Sequence, residues 1–291
     1  MTRVIVCGAS GQLGFELQRA RWPANFEIMP LSRAQFDITD AAAVASTIAT
    51  VRPAVIVNSG AYTAVDRAED EPDKALAVNA TGVGHLARAA EANGARLLHI
   101  STDYVFDGTK QGWYVESDPI APLGVYGRTK AEGERQALAC EGSTVLRTAW
   151  VYGVHGNNFV RTMLRLARER PSIGVVADQQ GCPTAAQDIA AALVKVAQAV
   201  LDGAANRQLF HLTSPASASW YEFAGAVFKA SRHGFAGEFR ALSTDQYPTR
   251  AKRPANSRLS SASIEAVLGI RLPDWRESVV EVVRELEANA Q

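Results

Sequence analysis

The chain has 291 residues, of which 47% are hydrophobic and 21% are charged, so it has the composition of an ordinary globular protein. Thirty basic residues balance thirty acidic ones, and this zero net charge argues against nucleic acids or membrane surfaces as partners. Cys7, Cys140 and Cys182 are scattered, and the chain shows no secretory signal or bilayer-length apolar run, so we expect a cytoplasmic protein with free thiols.

The N-terminal segment predicts a nucleotide-binding turn. Residues 3–7 form a short apolar run typical of a buried parallel strand, and residues 15–20 have helical periodicity. Between them, Gly8, Gly11 and Gly14 have Gly-x-x-Gly-x-x-Gly spacing. Glycines here permit a tight turn, close approach of a pyrophosphate and packing of the helix on the sheet. The alternative is a plain glycine-rich turn.

The second predicted strand, at residues 27–31, bears on the choice of cofactor. An acidic residue just after it would bind the ribose 2′-hydroxyl of NAD, but Ser32 and Arg33 stand there instead. Arginine suits phosphate recognition, so NADPH is favoured and NADH remains possible. A merely solvated Arg33 is the alternative. We expect Asp37 and Ile38, in the following loop, to lie beside the adenine.

Strands and helices then alternate in the rhythm of a doubly wound parallel sheet. Further strands are predicted at 54–58, 96–102 and 143–148, with helices at 41–50, about 70–93 and 126–140. Ligands bind at the carboxyl ends of such strands. Thr102 and Asp103 lie at one of these ends. His99, inside an apolar strand, is predicted to be a core histidine.

Tyr126 and Lys130 lie one turn apart on the same face of a predicted helix. A nearby positive charge favours a phenolate and lowers the pKa of a tyrosine, so this pair can deliver a proton to an oxygen. A half-buried tyrosine covering a lysine stem is the alternative. The position of the pair, downstream of a nucleotide-binding pattern, favours the catalytic reading.

After Trp150 the alternation breaks, which predicts a second region. Strands are expected at 174–178 and 209–213, and helices at about 159–170, 187–201, 219–232 and 273–288. Residues 239–259 look irregular and are rich in arginine, which fits either an anion site or a solvated basic loop. We expect a Rossmann-type α/β domain of residues 1–150 plus about 177–210. A smaller C-terminal substrate-binding lobe would comprise about 151–176 plus 211–291.

Several motifs carry a resemblance to the extended short-chain dehydrogenase/reductases and, within them, to the dTDP-4-dehydrorhamnose reductase family. The resemblance spans nearly the whole chain. Besides the glycine turn, the motifs are NSGAYTAVD at 58–66, STDYVF at 101–106, YGRTK at 126–130, RTAWVY at 147–152, GNNF at 156–159, DQQGCPT at 178–184 and RPANSRL at 253–259.

The resemblance implies a role for each matching residue. Tyr126 would be the acid that protonates the 4-keto oxygen of a dTDP-linked sugar, Thr102 would hold that oxygen, and Lys130 would bind the nicotinamide ribose. The cofactor would contact Gly8, Gly11, Gln12, Leu13, Gly14, Ser32, Arg33, Asp37, Ile38, Ala61, Tyr62, Thr63, Tyr126 and Lys130. The sugar nucleotide would contact Thr102, Asp103, Trp150, Asn158 and Arg253.

Some members of this family hold magnesium between subunits through glutamates. Glu16 matches one of those positions, but Gln187 stands at another and lacks the charge that a hard cation prefers. We therefore expect no metal, and a monomer or weak homodimer. Two alternatives stay open: a sugar-nucleotide epimerase or dehydratase, and a non-catalytic regulatory subunit of the methionine adenosyltransferase type. The intact Thr102, Tyr126 and Lys130 favour the reductase.

Overall fold

The computed structural model describes residues 1–204 and 207–289. Its strands, in chain order, are β1 (Thr2–Cys7), β2 (Phe26–Leu31), β3 (Val55–Asn58), β4 (Arg96–Thr102), β5 (Ser143–Thr148), β6 (Val151–Tyr152), β7 (Ser172–Val176), β8 (Gln180–Gly181), β9 (Thr184–Ala185), β10 (Gln208–His211), β11 (Ala218–Ser219) and β12 (Glu238–Leu242). The five long predicted strands of the first half are all present.

The main sheet has six strands in the order β10-β5-β4-β3-β1-β2, and every neighbouring pair is parallel. The chain runs from β1 outward to β2 and then returns to β3 on the other side of β1. This reversal makes the carboxyl ends of β1 and β3 a topological switch point, where open α/β sheets bind ligands. The predicted doubly wound fold is confirmed.

The helices are α1 (Gln12–Arg19), α2 (Ala41–Val51), α3 (Val65–Ala68), α4 (Pro72–Leu76), α5 (Gly82–Ala92), α6 (Val125–Leu138), α7 (Phe159–Glu169), α8 (Ala186–Leu201), α9 (Trp220–Ala230), α10 (Ala262–Leu268) and α11 (Trp275–Ala288). Asp40 caps α2, because its Oδ1 accepts from the backbone N–H groups of Ala42 and Ala43 at 3.0 Å. Within the described residues, no helix combines the length and apolar character needed to cross a bilayer.

Besides the two-residue strands β6, β8, β9 and β11 and the four-residue helix α3, which were not predicted, three elements differ from the predictions. The helix expected at about 70–93 is interrupted by a π-helical segment, Ala77–Thr81, between α4 and α5. Residues 238–242, expected to be irregular, form β12, which pairs in parallel with β7. The seven-residue helix α10 is also additional, since so short a segment gives little periodicity to recognise.

Both faces of the main sheet are packed with aliphatic side chains. Burial of each Val, Leu or Ile side chain stabilises the fold by roughly 1.5–3 kcal/mol. Val4 and Val6 face α1 and α8, whereas Ile5 faces α2 and α5. A separate cluster, centred on Tyr152 and Phe223, joins α7, α9 and α11. The division into a dinucleotide domain and a substrate lobe stays a prediction, and residues 290–291 of that lobe lie outside the described chain.

Candidate active site

A cavity of about 600 Å³ lies at the carboxyl ends of the central strands, over the switch point. It brings together most of the residues singled out from the sequence. Those on its lining are Gly8, Gly11, Gln12, Leu13, Arg33, Asp37, Ile38, Ala61, Tyr62, Thr63, Thr102, Asp103, Tyr126, Lys130 and Trp150. Gly14, Ser32, Asn158 and Arg253 are not on the lining.

The glycine turn is shaped by close approach of backbone to backbone. Gly8 has φ +75°, and a Cβ there would lie 2.7 Å from Gly60 Cα at the end of β3. A Cβ on Gly14 would lie 2.1 Å from the carbonyl oxygen of Gly8, so Gly14 packs the helix against the turn without reaching the cavity. Only glycine fits either position.

The first turn of α1 has the features of a diphosphate site. Gly11 precedes the helix, no side chain in the described chain caps it, and its first turn carries no acid. The Oε1 atom of Gln12 is buried without a hydrogen-bond partner among the described residues, while its Nε2 donates to Asn157 O at 3.4 Å. Free N–H groups at a helix N-terminus bind anions, so the residues present fit a dinucleotide cofactor.

The end of the cavity nearest β2 carries one exposed cation. Arg33 Nε donates to Asp37 Oδ2 at 3.3 Å, and Asp37 Oδ1 accepts from the backbone and hydroxyl of Thr39. The Thr39 backbone bond is the main cause that lowers the pKa of Asp37. The Ser32 hydroxyl instead donates to Gln35 Oε1 at 2.7 Å, which explains why it is absent from the lining.

Tyr126, Thr102 and Asp103 form a connected polar group at the other end. The Thr102 hydroxyl donates to Asp103 Oδ1 at 3.0 Å, and it is close enough to the Tyr126 phenol to lower the pKa of that group. Asp103 is only 2% exposed, and its Oδ2 has no hydrogen-bond partner within the described chain. Burial raises the pKa of Asp103 to about 6, and the nearby hydroxyls of Ser257 and Thr102 oppose that rise.

The acidity of Tyr126 differs from the prediction. Burial raises the pKa of Tyr126 to about 12, the Thr102 hydroxyl lowers it, and the charge of Asp103 raises it again. The charge of Lys130 is not among these causes, and its Nζ donates to the Ile100 carbonyl of β4. Desolvation therefore sets the direction of the shift, which is opposite to the one that the spacing suggested.

Lys130 is itself buried, at 2% exposure, beside β4. Its Nζ donates to the carbonyl oxygen of Ile100 at 2.5 Å and lies 3.5 Å from His99 Nε2. Burial lowers the pKa of Lys130 to about 8, opposed by the charge of Glu134 one turn along the helix. His99 is a core residue as expected from its apolar strand, but it also contacts this lysine.

An aromatic wall closes the side of the cavity that faces the C-terminal region. Trp150 and Trp220 stack with ring centroids 3.5 Å apart and an interplanar angle of 5°. Trp150 has φ +48°, unusual for a bulky residue, and its ring lies against Gly181, where a Cβ would approach within 2.2 Å. No sequence pattern marks Trp220 as a site residue, because only the packing of α9 brings it to the cavity.

Asn158 and Arg253 make contacts that hold neighbouring segments in place. Asn158 caps α7, since its Oδ1 accepts from the Arg161 N–H and its Nδ2 donates to Gly153 O. Arg253 Nη2 donates to Asp66 Oδ2 at 2.8 Å, its guanidinium lies over the Tyr104 ring, and its Nη1 is buried without a partner in the described chain.

The basic loop at 239–259 is largely neutralised by the segment after β3. Besides the Arg253–Asp66 pair, Arg250 pairs with Asp70, and Arg258 bonds Asn256 and the Gln111 carbonyl. The choice between an anion site and a solvated basic loop stays a prediction. These contacts fix the loop beside the cavity.

The glutamate suggested by the magnesium-binding relatives lies on α1. Glu16 is buried, 3.6 Å from Arg19, and Arg19 also pairs with Glu285. Gln187 Nε2 donates to Glu281. Among the described residues, no group of three or more His, Cys, Asp or Glu side chains is arranged to hold a metal.

Comparison with known proteins gives consistent matches. The family model "RmlD substrate binding domain" matches residues 1–288. The chain is 44% identical to a dTDP-4-dehydrorhamnose reductase of Aggregatibacter actinomycetemcomitans, over 97% of this chain and 98% of that protein.

Solved structures are similarly close. A dTDP-4-dehydrorhamnose reductase of Clostridium acetobutylicum is 37% identical, with a TM-score of 0.92 over 98% of this chain and all of that one. The enzyme of the same name from Bacillus anthracis, solved in complex with NADP, is 36% identical, with a TM-score of 0.91 over the same shares.

Proposed function

The chain belongs to the dTDP-4-dehydrorhamnose reductase family, and from that premise we propose that it reduces the 4-keto group of dTDP-4-dehydro-β-L-rhamnose, giving dTDP-L-rhamnose. One observation carries the proposal: Thr102, Tyr126 and Lys130 line the same cavity as the glycine turn of β1. A proton donor thus lies within one cavity of a dinucleotide-binding turn, as a carbonyl reduction requires.

In this proposal the cofactor lies along the switch point. Gly11, Gln12 and Leu13 hold its diphosphate at the N-terminus of α1, with Gly8 and Gly14 shaping the turn. Asp37 and Ile38 flank the adenosine, and Ala61, Tyr62 and Thr63 continue the wall towards the nicotinamide. Lys130 holds the nicotinamide ribose. When bound, the reduced nicotinamide supplies the hydride for the keto carbon.

The chain's own groups handle the proton. Because burial raises its pKa to about 12, Tyr126 is protonated at neutral pH, which is the state that a proton donor needs. Thr102 lines the cavity beside Tyr126, so in this proposal its hydroxyl shares the sugar oxygen with the phenol. Asp103 Oδ2, buried without a partner in the described chain, is suited to accept from a sugar hydroxyl.

Aromatic and basic groups form the proposed sugar-nucleotide side. Trp150 offers an apolar face at the cavity wall. Arg253, held by Asp66, keeps one N–H-bearing atom unpaired and is the candidate for the nucleotide diphosphate. Asn158 contributes indirectly, since it fixes the loop whose residues Gly156 and Asn157 line the cavity.

The decisive experiment is an absorbance assay of cofactor oxidation with enzymatically made dTDP-4-dehydrorhamnose. We expect stoichiometric oxidation of NADPH and formation of dTDP-L-rhamnose, identified by mass and NMR. Turnover of the sugar nucleotide without net cofactor consumption would instead indicate an epimerase or dehydratase. Cofactor binding with no turnover at all would indicate a regulatory protein.

We further propose that NADPH is preferred over NADH because of Arg33. Its guanidinium is exposed at the adenosine end of the cavity and pairs with the carboxylate of Asp37. Arg33→Ala should raise the KM for NADPH by roughly ten- to a hundredfold, since a charge-assisted hydrogen bond contributes about 1.5–3 kcal/mol, and should leave the KM for NADH nearly unchanged. Equal effects on both cofactors would contradict this preference.

The proposed setting is the cytoplasm, with a small sugar nucleotide as the partner rather than nucleic acid or membrane. Three buried free cysteines and the balanced charge support this assignment. A monomer or weak homodimer is proposed because Gln187 pairs with Glu281 of its own chain. Sedimentation with and without magnesium checks the oligomeric state.

A further inference from the structure

His99 contacts Asn58 of β3 on one side and Lys130 of α6 on the other. It lies in β4, fully buried, between the neighbouring strand β3 and helix α6. Its Nδ1 is 3.1 Å from Asn58 Nδ2, and its Nε2 is 3.5 Å from Lys130 Nζ. The proposed mechanism assigns no role to this imidazole.

The hydrogen bonds around Asn58 determine which ring nitrogen carries the proton. Asn58 Oδ1 accepts from the Gly60 N–H at 3.1 Å, which fixes the orientation of the side-chain amide. Its NH₂ group therefore faces His99 Nδ1, so Nδ1 must accept. Burial and the nearby Lys130 lower the pKa of His99 well below its usual value, so the ring is neutral and its proton lies on Nε2.

The Nε2–H group therefore points at the Lys130 amine. An ammonium group has three N–H donors and no acceptor, so it gains nothing from a second donor 3.5 Å away. One donor is used by the Ile100 carbonyl at 2.5 Å. The other two are left for the cavity that Lys130 lines.

We propose that His99, oriented by Asn58, is a positioning residue: by presenting Nε2–H instead of a lone pair, it turns the ammonium of Lys130 towards the catalytic cavity. This inference rests on the proposed function, in which Lys130 holds the nicotinamide ribose. It adds a residue outside the cavity that acts through the lysine.

The charged groups near Lys130 give this arrangement a pH dependence. Glu134 on α6 favours the ammonium but is paired with Arg147 of β5. Tyr126 and Asp103 lie towards the cavity, and β3 contributes the neutral amide of Asn58. Burial holds the pKa of Lys130 at about 8. Above that pH the neutral amine accepts the His99 N–H and is drawn from the cavity.

The first test needs no variant. ¹⁵N NMR of histidine-labelled protein should show a neutral His99 with the proton on Nε2 and a bare Nδ1, unchanged at mildly acidic pH. The resonance is assigned by its loss in His99→Asn. A His99 that carries its proton on Nδ1, or is charged at neutral pH, would overturn the proposal.

The second test compares His99→Asn with His99→Leu. The Asn amide oxygen can still accept from Asn58 but leaves nothing opposite Lys130, whereas Leu loses both contacts. Because neither variant holds the Lys130 ammonium towards the cavity, both should bind NADPH about tenfold more weakly by fluorescence titration, with a larger change in KM than in kcat. His99→Leu should lower Tm further than His99→Asn, because it also leaves the Asn58 amide without an acceptor.

In His99→Asn the fall in NADPH affinity with rising pH should also move above pH 8, since the amine has lost its N–H partner. Wild-type affinity and an unshifted pH profile in His99→Asn would overturn the positioning role while leaving the reductase proposal intact. A wild-type protein that binds no NADPH would overturn both.

Asn58→Asp provides the converse test. The carboxylate still accepts from the Gly60 N–H but now requires a donor from His99 Nδ1, which moves the lone pair to Nε2 and attracts the ammonium away from the cavity. We expect the ¹⁵N pattern to reverse and NADPH affinity to fall further than in His99→Asn. A reversed tautomer with wild-type affinity would overturn the proposal.

Discussion

The two halves of helix α6 differ in how their buried ionisable groups are satisfied. In the N-terminal half, called the front of α6 below, Lys130 has one carbonyl partner, and the Oδ2 atom of the nearby Asp103 is unpaired within the described chain. In the C-terminal half, called the rear of α6 below, Glu134 accepts two hydrogen bonds from Arg147, at 2.8 and 2.7 Å, and one from Ser101 at 2.5 Å.

This difference distinguishes a region that can bind a ligand from a region that only stabilises the fold. A buried ion pair with all its hydrogen bonds made is costly to break but has nothing to offer a ligand. Buried polar atoms without partners cost stability, so their presence in one cavity indicates that something else completes them. We expect changes at the front of α6 to affect catalysis and changes at the rear to affect folding.

The largest effect is expected from Tyr126→Phe. Removing the phenol proton should lower kcat by roughly 100- to 10,000-fold, the usual contribution of a general acid, with little change in Tm. Stopped-flow or steady-state NADPH oxidation measures it. The control is NADPH affinity, which should stay near that of the wild type. Near-normal turnover with both ligands bound would remove the acid role.

Arg147→Met tests the rear. It leaves the Glu134 carboxylate buried and unpaired, so the free energy of unfolding should fall by about 3–5 kcal/mol, measured by urea denaturation. The matched control is the double variant Glu134→Gln with Arg147→Met, which removes the orphaned charge and should recover most of the loss. A single variant as stable as the wild type would mean that the pair does not anchor α6.

Asp103→Asn measures the cost of keeping an unsatisfied carboxylate at the front. Its pKa is raised from 3.8 to about 6, so the charged form destabilises the fold: its contribution to stability is full below about pH 4 and is lost as pH rises through 6. The asparagine has no such loss. Its stability advantage should therefore be small near pH 4 and reach as much as roughly 3 kcal/mol near pH 8.

Denaturation at several pH values tests this prediction, and turnover should fall in the same variant because a sugar contact is weakened. An advantage that did not grow with pH would show that Asp103 is satisfied after all. A stabilised but inactive Asp103→Asn would sharpen the contrast with Arg147→Met, which should be destabilised yet active per folded molecule.

Features encoded within a few neighbouring residues were predictable from the sequence. The glycine turn and the spacing of Tyr126 and Lys130 each depend on local geometry, and each has the predicted form. The sheet followed from the alternation of apolar runs and helical patterns. Most of the other expected residues on the cavity lining came from the resemblance to the reductase family rather than from local geometry.

Features that depend on packing between distant segments were not predictable. The predicted direction of the Tyr126 pKa shift was wrong because burial, which spacing does not reveal, raises that pKa, and the charge of Lys130 is not among its causes. Strand β12 depends on a partner, β7, that lies 66 residues earlier in the register Glu238 to Ser172. The pairing of Arg253 with Asp66, 187 residues earlier, likewise has no local signal.

Trp220 is the clearest such case, and its substitution has the smallest expected effect. Its ring stacks on that of Trp150, whose left-handed backbone costs about 1–2 kcal/mol, and the Trp150 ring also lies against Gly181. Trp220→Ala should raise the KM for the sugar nucleotide up to about tenfold, since a stacked aromatic pair contributes about 0.5–1.5 kcal/mol.

Trp220→Phe keeps an aromatic face and should restore most of the affinity, while kcat stays close to that of the wild type in both variants. Near-UV circular dichroism reports the pair directly, because two stacked indoles couple and the coupled signal should disappear in either variant. If the alanine variant lost that signal but kept its KM, the aromatic wall would stabilise the fold, as Glu134 and Arg147 do, and would not bind the substrate. The contrast between stabilising groups and ligand-binding groups would then not extend beyond α6.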